Sequence, residues 1–200
     1  MSVFKAVLWD FGGVISTSPF ESFNRYEEAN GLPRDFIRTL NATNPDTNAW
    51  AHFERNEYTI EQFARAFEAE AAALGYRLDA LAVLQALRGE MRPEVFAMID
   101  AINDAGLMNA GVTNNFAPME PSEWHDKFTV IVESSRVGVR KPDPRFYSLA
   151  CDALGVTPVE CVYLDDLGIN LKPAKAMGMT TIKFIDPGDA LAELKGHLGL

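Results

Sequence analysis

Apolar residues in this chain form short continuous runs in some stretches and helical repeats in others. The first run occupies residues 4–9 and is followed closely by Gly12 and Gly13. A short apolar run that ends near glycines is typical of a fully buried parallel strand with a turn behind it. We therefore predict that the chain begins with a buried strand.

Between residues 20 and 88 the apolar spacing becomes that of helices. Phe63, Phe67, Ala71 and Leu74 follow one another at three- or four-residue steps, which places them on one helix face. Turn-forming stretches flank this block at 16–19 and at 89–93. The pattern predicts a small helical cap, residues 19–89, inserted into a core domain formed by residues 1–18 and 90–200.

Beyond Pro93 the pattern alternates between helix and strand. We predict a helix up to 105, strands at 107–112 and 128–132, a helix from 143 to 155, a strand at 161–164, a helix at 170–177 and a strand at 179–185. Such alternation indicates right-handed crossovers and a parallel sheet. The predicted fold class is α/β, with a Rossmann-like three-layer core and a small α-helical cap.

Composition and charge narrow the possible functions. The chain has 200 residues, of which 48% are hydrophobic, enough for one core with a small appended subdomain. Its formal net charge is −10, so its overall field repels nucleic acids and anionic membranes, and we expect neither as a partner. An anionic substrate would have to be captured by local positive groups.

The cysteine content and the N-terminal sequence bear on the cellular setting. Cys151 and Cys161 lack the spacing of a redox or zinc motif, so both are expected to be buried thiols. The first apolar run ends at Asp10, far short of a signal peptide or a membrane span. We infer a reducing, cytoplasmic setting and expect a monomer or a homodimer.

Polar residues gather where the predicted strands end. Asp10 follows the first strand, Thr113-Asn114-Asn115 the second, and Asp165-Asp166 the strand after the amphipathic helix. In a doubly wound sheet, ligands bind in the crevice at the carboxyl ends of the strands, so these side chains should meet there. Three converging carboxylates repel one another, which favours a hard divalent cation such as Mg²⁺. Zinc is disfavoured because no His or Cys lies in these stretches.

Four stretches, taken in order, resemble the four motifs of the haloacid dehalogenase superfamily. They are Trp9-Asp10-Phe11-Gly12-Gly13-Val14, Val112-Thr113-Asn114-Asn115, Val137-Gly138-Val139-Arg140-Lys141-Pro142-Asp143-Pro144 and Tyr163-Leu164-Asp165-Asp166. The stretch 164–174 and the helical insertion are similar to the N-terminal phosphatase domain of soluble epoxide hydrolases and to its bacterial single-domain relatives. Because the chain stops at Leu200, we do not expect epoxide hydrolysis.

The resemblance implies a catalytic role for each matching residue. It makes Asp10 the nucleophile that forms an aspartyl-phosphate, and Lys141 the cation that neutralises the transferring group. Thr113 and the backbone N–H of Asn114, together with Lys141, would bind the phosphate. These residue types suit phosphoryl transfer, which depends largely on positioning and charge stabilisation.

The resemblance also implies a Mg²⁺ site. Asp10, the backbone carbonyl of Gly12 and Asp166 would hold the ion directly, and Asp165 would reach it through water. Gly12 departs from the family pattern, because related phosphatases usually carry there a second aspartate that protonates the leaving alcohol and later activates water. Loss of such a positioned acid-base group lowers the reaction rate by a factor of about 10²–10⁴.

One histidine of the cap is a candidate for the missing acid. Histidine is the side chain that commonly serves as an acid near neutral pH, and His52 lies in the predicted cap, which closes over the site in this family. A histidine beside Trp50 and Phe53 is, however, more often a packing residue. His125 and His197 lie outside the motifs.

Three functions are compatible with these residues. The leading hypothesis is a Mg²⁺-dependent phosphomonoesterase that acts on a small phosphorylated metabolite. A metal-free 2-haloacid dehalogenase is the first alternative, disfavoured because Asp165 and Asp166 would be costly buried charges without a cation. The second alternative is a binding or regulatory module that lost turnover with the acid missing at Gly12.

Overall fold

The short apolar runs fold into parallel strands of one sheet. The computed structural model describes residues 4–87, 89–119, 122 and 124–200; residues 1–3, 120, 121 and 123 of the predicted core and 88 of the predicted cap lie outside this part. The strands are β1 Ala6–Asp10, β2 Met108–Thr113, β3 Val130–Glu133, β4 Cys161–Asp165 and β5 Thr180–Lys183. Their order is β3-β2-β1-β4-β5, and every neighbouring pair is parallel. The predicted α/β fold is confirmed.

The first four strands each continue one residue further than predicted. The additional residues are polar: Asp10, Thr113, Glu133 and Asp165. Their backbones remain in register with the neighbouring strand, as Asp10 does with Val112. Ladder hydrogen bonds use only backbone groups, so a polar side chain does not end the pairing. Asp10 and Asp165 are therefore held by the sheet itself.

The described residues between 19 and 87 form helices and no strand. The helices are α1 Pro19–Ala29, α2 Phe36–Ala42, α3 Ala49–Glu54, α4 Ile60–Ala73 and α5 Ala80–Ala86. They enclose an apolar cluster of their own, in which Phe63, Phe67 and Ala71 are buried as their spacing predicts. Leu74 is instead 53% exposed, because α4 ends at Ala73 and Leu74 is its C-cap.

Two adjacent backbone segments connect these helices to the sheet. The Thr17 N–H donates to the Glu90 carbonyl at 2.9 Å, and the Arg92 N–H donates to the Ile15 carbonyl at 2.9 Å. Ser16 and Met91 form an antiparallel bridge between them. The chain thus enters and leaves the helical insertion at one place, which supports the proposed division into core 1–18 and 90–200 and cap 19–89.

Helices cover both faces of the sheet. They are α6 Pro93–Asp104, α7 Ser134–Val137, α8 Pro144–Leu154, α9 Gly168–Ala176 and α10 Pro187–Leu198. Ile99 of α6 and Leu194 of α10 are buried against one face, and Phe146 of α8 and Ala174 of α9 against the other. These three layers match the predicted architecture, and α10 extends it beyond the predicted elements.

Two expectations from composition can be compared with the fold. Cys151 and Cys161 are buried free thiols, as predicted, with their Sγ atoms 4.0 Å apart. Within the described ranges, no helix has both the length and the apolar character needed to cross a membrane.

Candidate active site

The sheet topology brings three carboxylates together. β1 and β4 are parallel neighbours, so Asp10 and Asp165, the last residue of each, lie at the same edge of the sheet. Asp166 follows β4 directly. One oxygen of each carboxylate lies within 4.8 Å of an oxygen of the other two. The structure therefore assembles the acidic cluster that the strand ends predict.

Lys141 is the buried cation of this cluster. Its Nζ lies 2.6 Å from Asp10 Oδ1 and 3.1 Å from Asp165 Oδ2, and it donates to the Val112 carbonyl at 3.2 Å. Burial lowers the pKa of Lys141, but the negative charges of Asp10 and Asp165 outweigh burial and raise this pKa above its ordinary value. Lys141 therefore remains charged between two carboxylates.

The side chain of Asn114 holds the backbone of Lys141. Asn114 Oδ1 accepts from the Lys141 N–H at 2.8 Å, and Asn114 Nδ2 donates to the Lys141 carbonyl at 3.0 Å. This amide is therefore committed to the lysine loop, and only the backbone N–H of Asn114 is a candidate phosphate donor. Thr113 is buried at the end of β2, and its hydroxyl donates a long hydrogen bond of 3.4 Å to the Asn114 carbonyl.

Both oxygens of Asp165 are occupied by protein donors. Oδ1 accepts from the Leu167 N–H at 2.8 Å, and Asn170 Nδ2 lies 3.1 Å from each oxygen. Oδ2 also accepts from Lys141 and from the Tyr163 hydroxyl. A fully buried carboxylate with this many donors acts mainly as a fixed negative charge that orients Lys141.

Asp166 has the opposite environment. Its Oδ1 is buried and has no hydrogen-bond partner among the described residues. Burial, followed by the charge of Asp165, raises the pKa of Asp166 to about 6. Gly13 makes room for this carboxylate, since a Cβ at Gly13 would lie 2.5 Å from Asp166 Cγ. Gly13 also has a φ of +92°, which side chains with a Cβ rarely adopt.

The chemistry of these donors fits a hard divalent cation. Burial and the charge of Asp165 also raise the pKa of Asp10 well above its ordinary value, so one lysine does not balance the cluster. An oxygen-only set with an unpartnered buried Asp166 oxygen is the kind of site that Mg²⁺ prefers. The residues that would hold it are Asp10, the Gly12 carbonyl and Asp166, whereas Asp165, which was predicted to reach the ion through water, has both oxygens occupied by protein donors.

The turn after Asp10 leaves space for a side chain at Gly12. A Cβ at Gly12 would lie 3.4 Å from Pro19 Cδ, an ordinary van der Waals contact, and the φ of Gly12 is not positive. A side chain can therefore begin at this position without a clash at its Cβ. The same turn orients the Asp10 carboxylate, because Asp10 Oδ1 accepts a hydrogen bond from the Phe11 N–H at 2.7 Å.

Buried Glu133 fixes the loop that follows Thr113 and Asn114. Its Oε2 accepts from Asn115 Nδ2 and from the Met119 N–H, both at 2.6 Å. Ser134 Oγ accepts from the Asn115 N–H at 2.9 Å and donates to the Asn115 carbonyl at 3.0 Å. The loop that carries the predicted phosphate donors is therefore rigidly attached to β3.

The cap contacts the lysine loop through Arg140. Arg140 Nε lies 2.9 Å from Glu54 Oε2, an ion pair without hydrogen-bond alignment, and Nη1 donates to the Pro45 carbonyl at 3.0 Å. Burial raises the pKa of Glu54, although the charge of Arg140 opposes it. Because Arg140 precedes Lys141, this contact joins the cap to the lysine.

The contacts of His52 lie within the cap. Its Nδ1 is 2.5 Å from Glu57 Oε2, and its ring stacks on Tyr58 with centroids 4.7 Å apart. Trp50 packs edge-on against aromatic rings of the cap, including Phe63. Nothing in these contacts supports His52 as the substitute acid.

Sequence reasoning missed the residues that orient the carboxylates. Tyr163 precedes Asp165 by two positions in β4, so strand alternation places both side chains on the same side. Asn170 lies in the first turn of α9, from which a side chain reaches back to the strand end. Strand periodicity could have indicated Tyr163, whereas the pairing of Asn114 with Lys141 depends on tertiary contact.

A parallel α/β core with a strand-end carboxylate cluster, a buried lysine and a helical insertion defines a class of hydrolases. Residues 4–178 match the family model described as haloacid dehalogenase-like hydrolase. The chain belongs to this family.

Curated relatives include phosphatases. Mouse acyl-CoA dehydrogenase family member 10 is 32% identical over 205 residues, which cover 98% of this chain and 19% of that protein. Mouse bifunctional epoxide hydrolase 2 is 30% identical over 216 residues, covering 98% and 39%. Phosphatase MT3486 from Mycobacterium tuberculosis is 27% identical over 192 residues, covering 88% and 84%. The chain thus spans less than half the length of the two mouse proteins.

Solved structures share the fold. A HAD-like family hydrolase from Porphyromonas gingivalis superimposes with a TM-score of 0.71 at 21% identity, covering 98% of each chain. A HAD family enzyme from Bacteroides thetaiotaomicron, in complex with magnesium and inorganic phosphate, has a TM-score of 0.67 at 16% identity and covers 96% of this chain and 98% of its own. At these sequence identities, the structural similarity shows a shared fold and does not by itself show a shared activity.

Proposed function

We propose that this chain is a Mg²⁺-dependent phosphomonoesterase that acts on a small phosphorylated metabolite. The observation that carries the proposal is the cluster of Asp10, Asp165 and Asp166 with Lys141 between two of them. The phosphatase relative from Mycobacterium tuberculosis and the magnesium and phosphate in the Bacteroides enzyme support it. We also expect a cytoplasmic monomer or homodimer.

In the proposed first step, the Asp10 carboxylate attacks phosphorus. A bond forms between Asp10 and phosphorus, the ester P–O bond breaks, and its electron pair leaves with the alcohol oxygen. Lys141 neutralises charge on the transferring group, and the Thr113 hydroxyl and the Asn114 N–H donate to its equatorial oxygens. Bound Mg²⁺ would supply further charge neutralisation at the phosphoryl oxygens.

In the second step, water hydrolyses the aspartyl-phosphate and returns Asp10 with inorganic phosphate. Both steps benefit from an acid-base group, which Gly12 does not supply. Leaving groups of low basicity need little protonation, so aryl phosphates and sugar-1-phosphates should react faster than simple alkyl phosphates. Equal rates on the two groups would indicate an acid elsewhere in the site.

The test is phosphate release from a panel of phosphate esters with Mg²⁺ and with EDTA. We expect activity that requires Mg²⁺ and disappears in Asp10→Asn, while circular dichroism shows an unchanged fold. Asp152→Asn, a surface aspartate in α8, is the matched control and should retain activity. Full phosphatase activity in Asp10→Asn would refute the nucleophile assignment.

The same preparation distinguishes the two alternatives. A 2-haloacid dehalogenase would release halide from 2-chloropropionate and keep that activity in EDTA. A binding module would release neither product. Beryllium fluoride, which mimics a phosphoryl group on aspartate, should bind with Mg²⁺ in a phosphatase, and calorimetry that detects no binding would favour the module.

A further inference from the structure

The hydroxyl of Tyr163 is a buried polar group that the proposed reaction steps do not use. Tyr163 and Asp165 are both fully buried in β4, and this hydroxyl donates to Asp165 Oδ2. A phenol has one proton to donate, so the donation commits it to this carboxylate. The same oxygen is the one that Lys141 contacts.

A wider buried network holds Tyr163 and Asp165 in place. The Tyr147 hydroxyl in α8 donates to the Asn170 carbonyl in α9 at 2.7 Å, and Asn170 Nδ2 lies 3.1 Å from each oxygen of Asp165. The rings of Tyr147 and Tyr163 meet edge-on, with centroids 5.5 Å apart. Side chains from three elements therefore pack around one carboxylate and fix the direction of the Tyr163 hydroxyl.

Lys141 shares its ammonium group unequally between two buried carboxylates. Its Nζ lies 2.6 Å from Asp10 Oδ1 but 3.1 Å from Asp165 Oδ2. A buried carboxylate attracts any available donor, because in a low dielectric an unsatisfied charge is costly. Asp165 Oδ2 already accepts from Tyr163 and Asn170, so its need for the ammonium is reduced. The shorter contact is therefore made with Asp10.

This unequal sharing bears on the proposed first step. As Asp10 attacks phosphorus, the Lys141 ammonium has to neutralise charge on the transferring group. A carboxylate at 165 with one donor fewer would compete for the same ammonium. The Tyr163 ring also lies beside it, with Nζ 6.0 Å from the ring centroid. Phenylalanine at 163 would keep that ring and lose only the donor.

We propose that Tyr163 is a positioning residue whose hydroxyl satisfies Asp165 and thereby leaves the Lys141 ammonium to Asp10 and the transferring phosphoryl group. The proposal rests on the proposed phosphomonoesterase function. Tyr163 acts on the reaction through Asp165 and Lys141, and not by contact with the substrate. Without its hydroxyl, Lys141 moves toward Asp165.

The first test is Tyr163→Phe, assayed on p-nitrophenyl phosphate with Mg²⁺. One hydrogen bond to a charged group corresponds to roughly 10–100-fold in an equilibrium constant. We expect kcat to fall about tenfold or more and KM to change less than about threefold, because Lys141 acts on charge in the transition state. An unchanged kcat would overturn the role of Tyr163.

Tyr147→Phe is the matched control. It removes a buried hydroxyl from the neighbouring ring, but that hydroxyl donates to a carbonyl and not to a carboxylate. Its stability in urea should fall by a similar amount, while kcat should fall less than about threefold. An equal fall of kcat in both variants would show general loosening of the core and would overturn the positioning role.

A double-mutant cycle tests the route through Asp165. Asp165→Asn removes the charge that would draw Lys141 away, so adding Tyr163→Phe to it should lower kcat by no more than about twofold. Two independent structural defects would instead multiply their effects on kcat. Multiplied losses would therefore overturn the proposal.

A readout without turnover separates this proposal from the proposed function. Lys141 is the only buried lysine among the residues that the structure describes, so in metal-free, ¹⁵N-lysine-labelled protein its ammonium signal is protected from exchange with water. Tyr163→Phe should shift this signal, and Tyr147→Phe should not. An unshifted signal in Tyr163→Phe would overturn the role of Tyr163. Wild-type protein that hydrolyses no phosphate ester would instead overturn the phosphatase.

Discussion

Replacing Gly13 by alanine tests whether the acidic cluster depends on close backbone approach. The φ of Gly13 is +92°, so alanine there costs about 1–3 kcal/mol in backbone strain. The new Cβ would lie 2.5 Å from Asp166 Cγ and 3.1 Å from its Cβ. Such overpacking costs about 1–3 kcal/mol more. We therefore expect Gly13→Ala to lower the free energy of unfolding by about 2–6 kcal/mol.

Gly155→Ala is the matched control. Gly155 also has a positive φ, +67°, but a Cβ there would meet no atom within 4 Å, so only backbone strain of about 1–2 kcal/mol applies. Both variants are unfolded with urea in EDTA, which separates folding from metal binding, and Mg²⁺ affinity is then measured by calorimetry. Gly13→Ala should weaken Mg²⁺ binding because Asp166 is displaced, and Gly155→Ala should not. Equal stability losses in the two variants would refute the crowding argument.

Three further predictions concern the same cluster. Lys141→Met leaves Asp10 and Asp165 uncompensated and should cost about 3–5 kcal/mol in urea unfolding at pH 7.5; an unchanged midpoint would contradict a charged buried lysine. Asp166 has a folded pKa of about 6, above its unfolded value of 3.8, so this group lowers the stability of the metal-free protein as pH rises from 3.8 to about 6, and the loss is complete above that pH. Asp166→Asn should therefore add on the order of 2 kcal/mol at pH 8 in EDTA, with the gain vanishing toward pH 4; a gain at pH 4 alone would reverse the reasoning. Gly12→Asp adds a Cβ that makes only van der Waals contact with Pro19, and it should raise kcat on alkyl phosphates about tenfold or more while changing aryl phosphates little; an unchanged alkyl rate would show that protonation is not limiting.

The sequence by itself determined the strands, their order of appearance and the polar residues at their ends. Apolar runs and helical spacings are local signals, and the parallel α/β rule then places all strand ends at one edge. The convergence of Asp10, Asp165 and Asp166 could be predicted in this way. The first four strands end one residue later than predicted because backbone pairing continues beneath a polar side chain.

Only the tertiary structure decided how two adjacent aspartates differ. Asp165 and Asp166 are neighbours of the same type in sequence, yet the first is saturated by donors and the second has a buried oxygen without one. The difference arises because Asp165 ends a central strand against Lys141, while Asp166 lies just beyond the strand beside Gly13. The donation from Tyr147 in α8 to the Asn170 carbonyl in α9 is likewise set by the packing of two helices, and no local pattern encodes such contacts.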